Sequence, residues 1–283
     1  MYPDPPAVEE NDVAIVEPSA IGVGASAEVY KAKYKNNLVA LKKRRRGEYT
    51  ITFHSEINIM KSCPSPYIIG LLGVVSEESI NPKMILTLMD KGSLKENINN
   101  LQISAYEVLK VVAHALEDLH QCGIMHRDIN PKNIFLCSTN YIKVGDLGIS
   151  RDYNALMTLG VGTLIYMAPE VLKSEGSYDY AADIYSLGAV LFEMVTAQTP
   201  FAGKNVMPII RGVSSGELRL TLPKGNTHWL DALATACLQY NPQDRPSAKQ
   251  VVEFLHKIPQ NAQSDKFSQF IVPQDTLNLL IPK

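Results

Sequence analysis

The 283-residue chain is poor in cysteine and has no marked excess of charge of either sign. Its four cysteines form no Cys-x-x-Cys pair and show none of the Cys/His spacing that zinc sites use. Lys and Arg together number 27 against 29 Asp and Glu. These features argue against a disulfide-bonded or zinc-binding scaffold and against a general binder of nucleic acid, and we expect reduced thiols.

A long apolar run is absent as well. No stretch approaches the roughly 20 apolar residues that a membrane-spanning helix needs. The opening segment, MYPDPPAVEEND, is acidic and rich in proline, whereas a secretory signal peptide begins with a basic and then an apolar segment. We therefore expect no membrane span, and a location in the cytoplasm or the nucleus.

What the chain does contain is a change of pattern near Gly92. Before it, AEVYKAKY and NNLVALKK alternate apolar and polar residues around an Asn-Asn turn, which is typical of strands. One segment of this half, FHSEINIMKSC, has the apolar spacing of a helix face. After Gly92 the periodicity is helical, as in AYEVLKVVAHALEDLHQCG. This order predicts an α+β fold with a small, mainly β lobe followed by a larger, mainly α lobe.

The pattern also gives the expected boundaries. Residues 1–14 are predicted to be a flexible, acidic and proline-rich tail, because they have little to bury. Residues 15–258 form the predicted domain, with one lobe over 15–89 and the other over 90–258. A C-terminal tail follows over 259–283, and its sequence leaves open whether it is disordered or lies against the domain.

The first chemical signature is the segment IGVGASAEVY, residues 21–30. Gly22 and Gly24 permit a tight turn in which bare backbone can approach phosphate oxygens, and an ordinary glycine-containing hairpin is the alternative. Lys42 follows at the end of a strand, where a lysine is ordinarily a solvated charge. Its functional interpretation is a cation for the α- and β-phosphates, held in place by Glu56 on the predicted helix of this lobe.

The second signature begins with HRDINPKN and continues with VGDLGIS and GTLIYMAPE further along the chain. Asp128 can act as a base or orient a hydroxyl group. Asn133 and Asp146 offer the oxygen ligands that Mg²⁺ prefers. These residue types in this order indicate phosphoryl transfer, with ATP and Mg²⁺ as cofactors.

Together with DYAADIYSLG and NPQDRPSAKQV, these segments give residues 15–258 a close resemblance to the eukaryotic protein kinase superfamily. The resemblance implies the two-lobed kinase fold and an ATP-dependent serine/threonine kinase that acts on protein substrates. The SLK and LGVV segments are most similar to the tyrosine-kinase-like group. The resemblance also implies that Asp128 and Asn133 are catalytic and that Asn133 and Asp146 bind the metal.

A nucleotide site in the first lobe is implied too. Ile21 and Val29 would enclose the adenine with Ala40 beside them, and the backbone of the segment from Thr87 to Met89 would bond it. The nucleotide-binding residues implied in this way are Ile21, Gly22, Val23, Gly24, Ala25, Ser26, Ala27, Glu28, Val29, Ala40, Lys42, Glu56, Thr87 and Met89.

Two structural contacts follow from the same resemblance. Arg245 is expected to pair with Glu170 of the GTLIYMAPE segment. Asp183, at the start of the apolar helix DYAADIYSLGAVLFEMVTA, is expected to brace the catalytic loop.

The catalytic loop departs from the family pattern at Asn130, where Ser/Thr kinases usually carry a lysine that neutralises γ-phosphate charge. An amide can hydrogen-bond a phosphate but brings no net charge. Our hypothesis is that Lys132, placed where many tyrosine kinases carry a basic residue, is catalytic and partly substitutes; an exposed loop charge is the alternative. Ala27, in place of a third glycine, is a smaller departure. The competing function is a pseudokinase scaffold that binds partners with little catalysis.

The segment before MAPE indicates the acceptor and a mode of regulation. Thr163 stands where Ser/Thr kinases carry a threonine, and no proline of the tyrosine-kinase type precedes MAPE, so we expect transfer to Ser or Thr. Arg127 and Arg151 would repel each other unless an anion lay between them. We predict that a phosphate on Thr158, added in trans by the chain itself or by an upstream kinase, fills this place.

The run KKRRR, residues 42–46, has the composition of a nuclear-import or nucleic-acid patch. Lys42 is already assigned to ATP, and the other four residues are predicted to follow the end of a strand. We therefore interpret the run as a solvated charge cluster and expect no nucleic-acid partner.

Overall fold

The computed structural model of the chain describes residues 5–24, 27–45, 50–99, 104–139, 141–147, 163–173, 178–222, 229–263 and 271–282. The chain divides into two compact units. The first comprises residues 1–92 and 135–150, and the second comprises residues 93–134 and 151–283. Strands dominate the first unit and helices the second, as the change of pattern near Gly92 predicts.

One seven-stranded sheet forms the first unit. Its strands are β1 (Ala7–Val8), β2 (Val13–Ile15), β3 (Gly22–Val23), β4 (Ala27–Tyr34), β5 (Asn37–Arg44), β6 (Leu71–Val75) and β7 (Lys83–Thr87). They occur along the sheet in the order β1-β6-β7-β5-β4-β2, and β3 pairs with β4. The β1–β6 pair is parallel and the other pairs are antiparallel. Among the described residues of this unit, the α-helix is α1 (Thr50–Ser62), in the segment whose apolar spacing predicts one.

The predicted hairpin joins β4 to β5. Its turn is centred on Lys35 and Asn36, whose φ angles are 46° and 64°. Such left-handed pairs match the twist of antiparallel strands, and asparagine tolerates them well. Asn37 already begins β5, and its side-chain amide donates to the carbonyl of Lys35 at 3.2 Å. The turn therefore lies one residue earlier than the Asn-Asn pair suggests.

The N-terminal segment differs from the predicted flexible tail. In the described part of it, β1 pairs with β6 and β2 pairs with β4, so one short segment reaches both edges of the sheet. The carbonyl of Pro6 accepts a hydrogen bond from Val74 N at 3.1 Å. Val8 is buried with Val39 and other residues of the sheet. The acidic and proline-rich composition gives no sign of this role, because strand pairing uses backbone groups. Among the described residues 5–14, Val8 is the one buried apolar side chain.

The second unit is built from helices. They are α2 (Leu94–Asn97), α3 (Ala105–Gln121), α4 (Pro169–Lys173), α5 (Ala181–Thr196), α6 (Val206–Ser215), α7 (Trp229–Cys237), α8 (Ala248–His256), α9 (Gln260–Gln263) and α10 (Gln274–Leu277). The Ser104 hydroxyl caps α3, and Ser247 with Gln250 forms a capping box at α8. Helix α5 is buried on nearly every side, as its apolar sequence predicts. In chain order, strands β8 (Ile134–Leu136) and β9 (Ile142–Val144) come between α3 and α4; they form a two-stranded sheet, and their residues from 135 onward belong to the first unit.

The described residues near the C-terminus, 271–282, pack against the helices of the second unit, which answers for this part the question that the sequence leaves open. The Gln250 amide of α8 donates to the carbonyls of Leu279 and Ile281 at 3.0 and 2.5 Å. Leu280 and Val272 are buried. Among the described residues no helix is both long and apolar enough to cross a membrane.

Candidate active site

The glycine-containing turn forms between β3 and β4. Gly22 pairs with Val29, and Gly24 N donates to the carbonyl of Ala27 at 2.8 Å. Ala25 and Ser26, at the tip, lie outside the described residues. Ala27 already belongs to β4, where extended backbone accepts a methyl group as readily as a hydrogen. The loss of the third glycine therefore costs little at this position.

The predicted adenine-facing residues lie on adjacent strands of the same sheet. Ile21 N donates to the carbonyl of Val29 at 2.8 Å, so these two residues are neighbours. Ala40 on β5 pairs with Leu86 on β7, and Thr87 ends β7 immediately before the segment that leads to Met89. Ala40 is 7% exposed and Ile21 is 48% exposed. The sheet thus collects in one unit the residues that the resemblance implies for the nucleotide.

Lys42 is not a solvated strand-end charge. Its ammonium nitrogen lies 2.7 and 2.8 Å from the two carboxylate oxygens of Glu56 on α1, and 3.1 Å from Oδ1 of Asp146. Lys42 is 8% exposed and Glu56 is 9% exposed. Burial by itself would lower the pKa of Lys42, but the Asp146 and Glu56 carboxylates outweigh it and hold the pKa above its ordinary value. The lysine is therefore charged at neutral pH.

Asp146 is positioned by the segment that precedes it. Val144 of β9 forms a parallel bridge with Ile68. The backbone N of Ile69 donates a hydrogen bond to the carbonyl of Val144 at 2.8 Å. A Cβ atom on Gly145 would lie 2.5 Å from Cδ1 of Ile69 and 3.0 Å from a ring carbon of Phe135, so a larger residue would require the Ile69 side chain to move. Asp146 itself has a left-handed φ of 59°. Held in this strained conformation, its carboxylate remains in contact with Lys42.

In the second unit, two amides hold the carboxylate of Asp128. Asn133 Nδ2 donates to Oδ2 of Asp128 at 2.7 Å, and Asn130 Nδ2 donates to Oδ1 at 2.9 Å. The backbone N of Asp128 donates to His126 Nδ1 at 3.2 Å. Lys132, whose backbone N donates to Asn130 Oδ1 at 2.9 Å, has an exposed side chain. This exposure fits the simpler interpretation of Lys132 as a loop charge, and its catalytic role stays a prediction.

Asp183 braces the catalytic loop, as expected. Its carboxylate accepts hydrogen bonds from the backbone N of His126 at 2.9 Å and of Arg127 at 2.7 Å. A third contact joins it to His120 Nε2 at 2.9 Å. Burial by itself would raise the pKa of Asp183, but the contacts with His120 and the loop hold it below its ordinary value. The brace also supports Arg127, whose φ is 66°.

The GTLIYMAPE segment is held against the helices by two contacts that involve charged groups. Arg245 binds Glu170 through two nitrogens, at 2.6 and 2.8 Å, as the resemblance implies. The hydroxyl of Tyr166 donates to the buried carboxylate of Glu193 on α5, which also pairs with Lys95. Burial and Glu193 together raise the pKa of this tyrosine. Thr163 lies just before the 3₁₀-helix Leu164–Tyr166 that carries the tyrosine.

Sequence reasoning missed some of these residues. The contact from His120 to Asp183 and the Lys95–Glu193–Tyr166 cluster were not predicted. For His120 the signal was faint, since it lies at the end of α3 with only spacing to relate it to the loop. The predicted phosphorylation site Thr158 and its partner Arg151 lie outside the described residues.

Comparisons with known proteins agree with the geometry. The model of the protein kinase domain matches residues 15–255. The chain is 33% identical over 261 residues to a probable serine/threonine-protein kinase of Dictyostelium discoideum, an alignment that covers 88% of this chain and 16% of that protein. A probable LIM domain-containing serine/threonine-protein kinase of the same organism is 31% identical over 253 residues, with coverages of 85% and 39%. The probable serine/threonine-protein kinase SIS8 of Arabidopsis thaliana is 31% identical over 252 residues, with coverages of 84% and 24%.

The chain thus spans less than half the length of each of these relatives. The family match, in contrast, extends over most of the chain and includes every segment that carries the resemblance. This chain therefore belongs to the protein kinase domain family, whose members in general act on protein substrates and use ATP and a divalent metal ion.

Proposed function

We propose that the chain is an ATP-dependent protein kinase that transfers the γ-phosphate to serine or threonine hydroxyls of protein substrates. The observation that carries the proposal is the buried ammonium group of Lys42, which contacts the carboxylates of both Glu56 and Asp146. Desolvating a lysine beside two carboxylates is costly for a purely structural contact. The same arrangement is useful in a nucleotide site, where a lysine binds phosphate oxygens and a carboxylate binds a metal cation.

Asp128 is the group that we assign to the acceptor hydroxyl. In the transfer step the hydroxyl oxygen forms a bond to the γ-phosphorus while the bond from phosphorus to the bridging oxygen of ADP breaks. The hydroxyl proton passes to the carboxylate of Asp128. The amides of Asn130 and Asn133 and the brace from Asp183 fix this loop before a substrate arrives.

Asn133 in the second unit and Asp146 in the first each carry the kind of oxygen donor that Mg²⁺ prefers. Asn133 uses its Nδ2 atom on Asp128, which leaves its amide oxygen for a cation. The cluster of Lys42, Glu56 and Asp146 carries one more negative than positive charge, and the Asp146 side chain is 46% exposed. The family resemblance assigns the ion to Asn133 and Asp146, and a bound ion would neutralise phosphate charge.

The pseudokinase alternative has less support. Its usual mark is the loss of the strand lysine, the catalytic aspartate or the metal-binding aspartate. All three residues are present here. Lys42 contacts Glu56 and Asp146, and the Asp128 carboxylate accepts a hydrogen bond from Asn130. Asn130 is the one departure in the catalytic loop, and it contributes hydrogen bonds to Asp128.

Two observations support Ser and Thr as acceptors. The chain carries Thr163 in the position typical of Ser/Thr kinases. The relatives it resembles are named serine/threonine kinases in two organisms.

We also propose that Thr158 is phosphorylated and that this raises activity. Thr158→Ala and Thr158→Val, incubated with ATP, are then expected to stay at basal activity with no phosphate mapped to the segment.

The test of the proposed function is a phosphotransfer assay with radiolabelled ATP, Mg²⁺ and a mixed-sequence peptide library. The wild-type chain is expected to label itself or the peptides, and phosphoamino-acid analysis is expected to give phosphoserine and phosphothreonine. Asp128→Asn, which retains the size of the side chain, is expected to lose the label. Label that persists in Asp128→Asn would point to a contaminating kinase, and mainly phosphotyrosine would contradict the acceptor assignment. A wild type that binds nucleotide without any transfer would favour the scaffold.

A further inference from the structure

We propose that Asn130 is a positioning residue for the Asp128 carboxylate and takes no direct part in binding phosphate. The inference rests on the proposed kinase function and concerns the residue at which the catalytic loop departs most from its family. Asn130 is 3% exposed, so its amide lies within the loop and is not presented to solvent.

The orientation of the Asn130 amide follows from its neighbours. Its Oδ1 atom accepts a hydrogen bond from Lys132 N at 2.9 Å, and a backbone N–H can face only an acceptor. The nitrogen must therefore point the other way, toward Asp128. There Nδ2 lies 2.9 Å from carboxylate Oδ1 and 3.1 Å from the backbone carbonyl of the same residue. Both partners are acceptors, as the donor requires.

This arrangement uses both amide protons of Asn130. One goes to the Asp128 carboxylate and the other to the Asp128 carbonyl, so none is left for a phosphate oxygen. Asn133 makes the matching pair of bonds, with Nδ2 2.7 Å from carboxylate Oδ2 and 2.9 Å from the same carbonyl. Each oxygen of the carboxylate is therefore held by one neutral amide. The two amides fix the plane of the carboxylate as well as its position.

A positional role makes a definite kinetic prediction. A carboxylate that rotates away from the acceptor hydroxyl slows the chemical step, and a displacement of about 1 Å can cost about 100-fold in rate. The proposed function assigns the nucleotide, in contrast, to residues of the other unit, Lys42 among them. Loss of the Asn130 donors is therefore expected to lower kcat and to leave the KM for ATP unchanged.

Asn130→Asp is the decisive variant. An aspartate has nearly the same shape and keeps an oxygen to accept from Lys132 N, so the loop turn is preserved. It removes the N–H donors and sets a second carboxylate against Asp128. Asn130→Ala removes the donors and the acceptor together, without adding charge. Asn130→Lys supplies N–H donors again and is expected to recover a higher kcat than Asn130→Asp.

The experiment measures steady-state phosphotransfer by the full chain, with nucleotide affinity and the thermal unfolding midpoint of each variant. Asn130→Asp and Asn130→Ala are expected to lower kcat by about 10- to 100-fold, with the KM for ATP within about threefold of wild type. Asn37→Asp, the same chemical change at the exposed first residue of β5, is the matched control and is expected to keep wild-type kinetics.

The outcomes separate the inference from the function on which it rests. An active wild type with unchanged kcat in Asn130→Asp and Asn130→Ala would overturn the inference alone. A rise in the KM for ATP at unchanged kcat would assign Asn130 to phosphate binding and would overturn it too. A kcat in Asn130→Lys no higher than in Asn130→Asp would show that the N–H donors are not what the loop needs. An inactive wild type would refute the proposed function and the inference with it.

Discussion

In the strand-rich unit a buried charge is held by opposite charges, whereas in the helical unit the central carboxylate is held by neutral amides. Lys42 lies between the carboxylates of Glu56 and Asp146, and Asp128 lies between the amides of Asn130 and Asn133. The difference matches what each group has to do. A phosphate-binding cation needs a fixed charge, while a base has to accept a proton and is better oriented by groups that do not bind the charge too strongly.

The comparison predicts that substitution of Lys42 has the largest effect on the rate of phosphotransfer. Lys42→Met keeps the length of the side chain but leaves Glu56 and Asp146 without their shared cation. Phosphotransfer is expected to fall by about 100-fold or more, because both the phosphate-binding charge and the position of Asp146 are lost. Turnover with saturating ATP and peptide measures the loss.

Lys43→Met is the matched control, since Lys43 lies one residue further along β5 with its ammonium group over the Tyr30 ring, at 4.8 Å from the ring centroid. It is expected to retain wild-type turnover. Equal losses in the two variants would mean that the strand, and not the charge of Lys42, is what the activity needs.

The second prediction concerns Asp183, a buried carboxylate that accepts hydrogen bonds from the backbone of the amide-held loop. Asp183→Asn is expected to lower the free energy of unfolding by about 2–4 kcal/mol, because an amide cannot accept every bond from His126, Arg127 and His120. Chemical denaturation at neutral pH measures the difference.

The pH dependence of that difference follows from the pKa of Asp183. Its pKa in the folded chain lies below the ordinary value of 3.8, so the carboxylate stabilises the fold above about pH 4 and loses this effect as the pH falls through the folded pKa. The gap between wild type and Asp183→Asn is expected to stay constant from about pH 5 to 8 and to narrow in more acidic solution. A gap that widens as the pH falls would contradict the sign of this argument.

A smaller effect is expected at the N-terminal segment, which supports the charge-held unit. Val8 is 7% exposed within the core of the sheet, and Val16 is 48% exposed. Val8→Ala is expected to cost about 1–2 kcal/mol of unfolding free energy, and the matched Val16→Ala less than about 0.5 kcal/mol. Equal costs would mean that β1 adds nothing to the unit.

Substitutions in the basic run KKRRR are expected to have the smallest effect on stability and activity. Arg44 is bonded to the carbonyl of Ile80 and the amide oxygen of Asn81, at 3.2 and 2.7 Å, and Arg45 lies 3.8 Å from Glu28. Because these contacts are near the surface, Arg44→Gln with Arg45→Gln is expected to change the unfolding free energy by less than about 1 kcal/mol. Localisation and substrate choice are expected to match those of a Lys33→Gln control. A change in either would indicate that the run recognises a partner or substrate.

Much of this architecture could be predicted from the sequence where long patterns carry it. The β4–β5 alternation, the buried periodicity of α5 and the pairing of Lys42 with Glu56 extend over many residues or rest on several ordered motifs. Strands β1 and β2 could not be predicted, because two or three residues have no periodicity and their bonds come from the backbone.

The detailed geometry of the site could not be predicted from the sequence for a different reason. The orientation of the Asn130 amide depends on where the backbone N of Lys132 lies, and the contact from His120 to Asp183 depends on the approach of α3 to α5. Neither is encoded in residue spacing. The residue types therefore indicated the chemistry, while the division between a charge-held and an amide-held site emerged only from the coordinates.

The central claim is that Asp128 serves the chemical step while nucleotide binding depends on other residues. The most direct test measures ATP affinity and single-turnover phosphotransfer in wild type and Asp128→Asn side by side. The account predicts ATP affinity within about threefold of wild type and a transfer rate lowered by about 100-fold or more. A folded Asp128→Asn variant that transfers phosphate at the wild-type rate, or that loses its affinity for ATP, would contradict it.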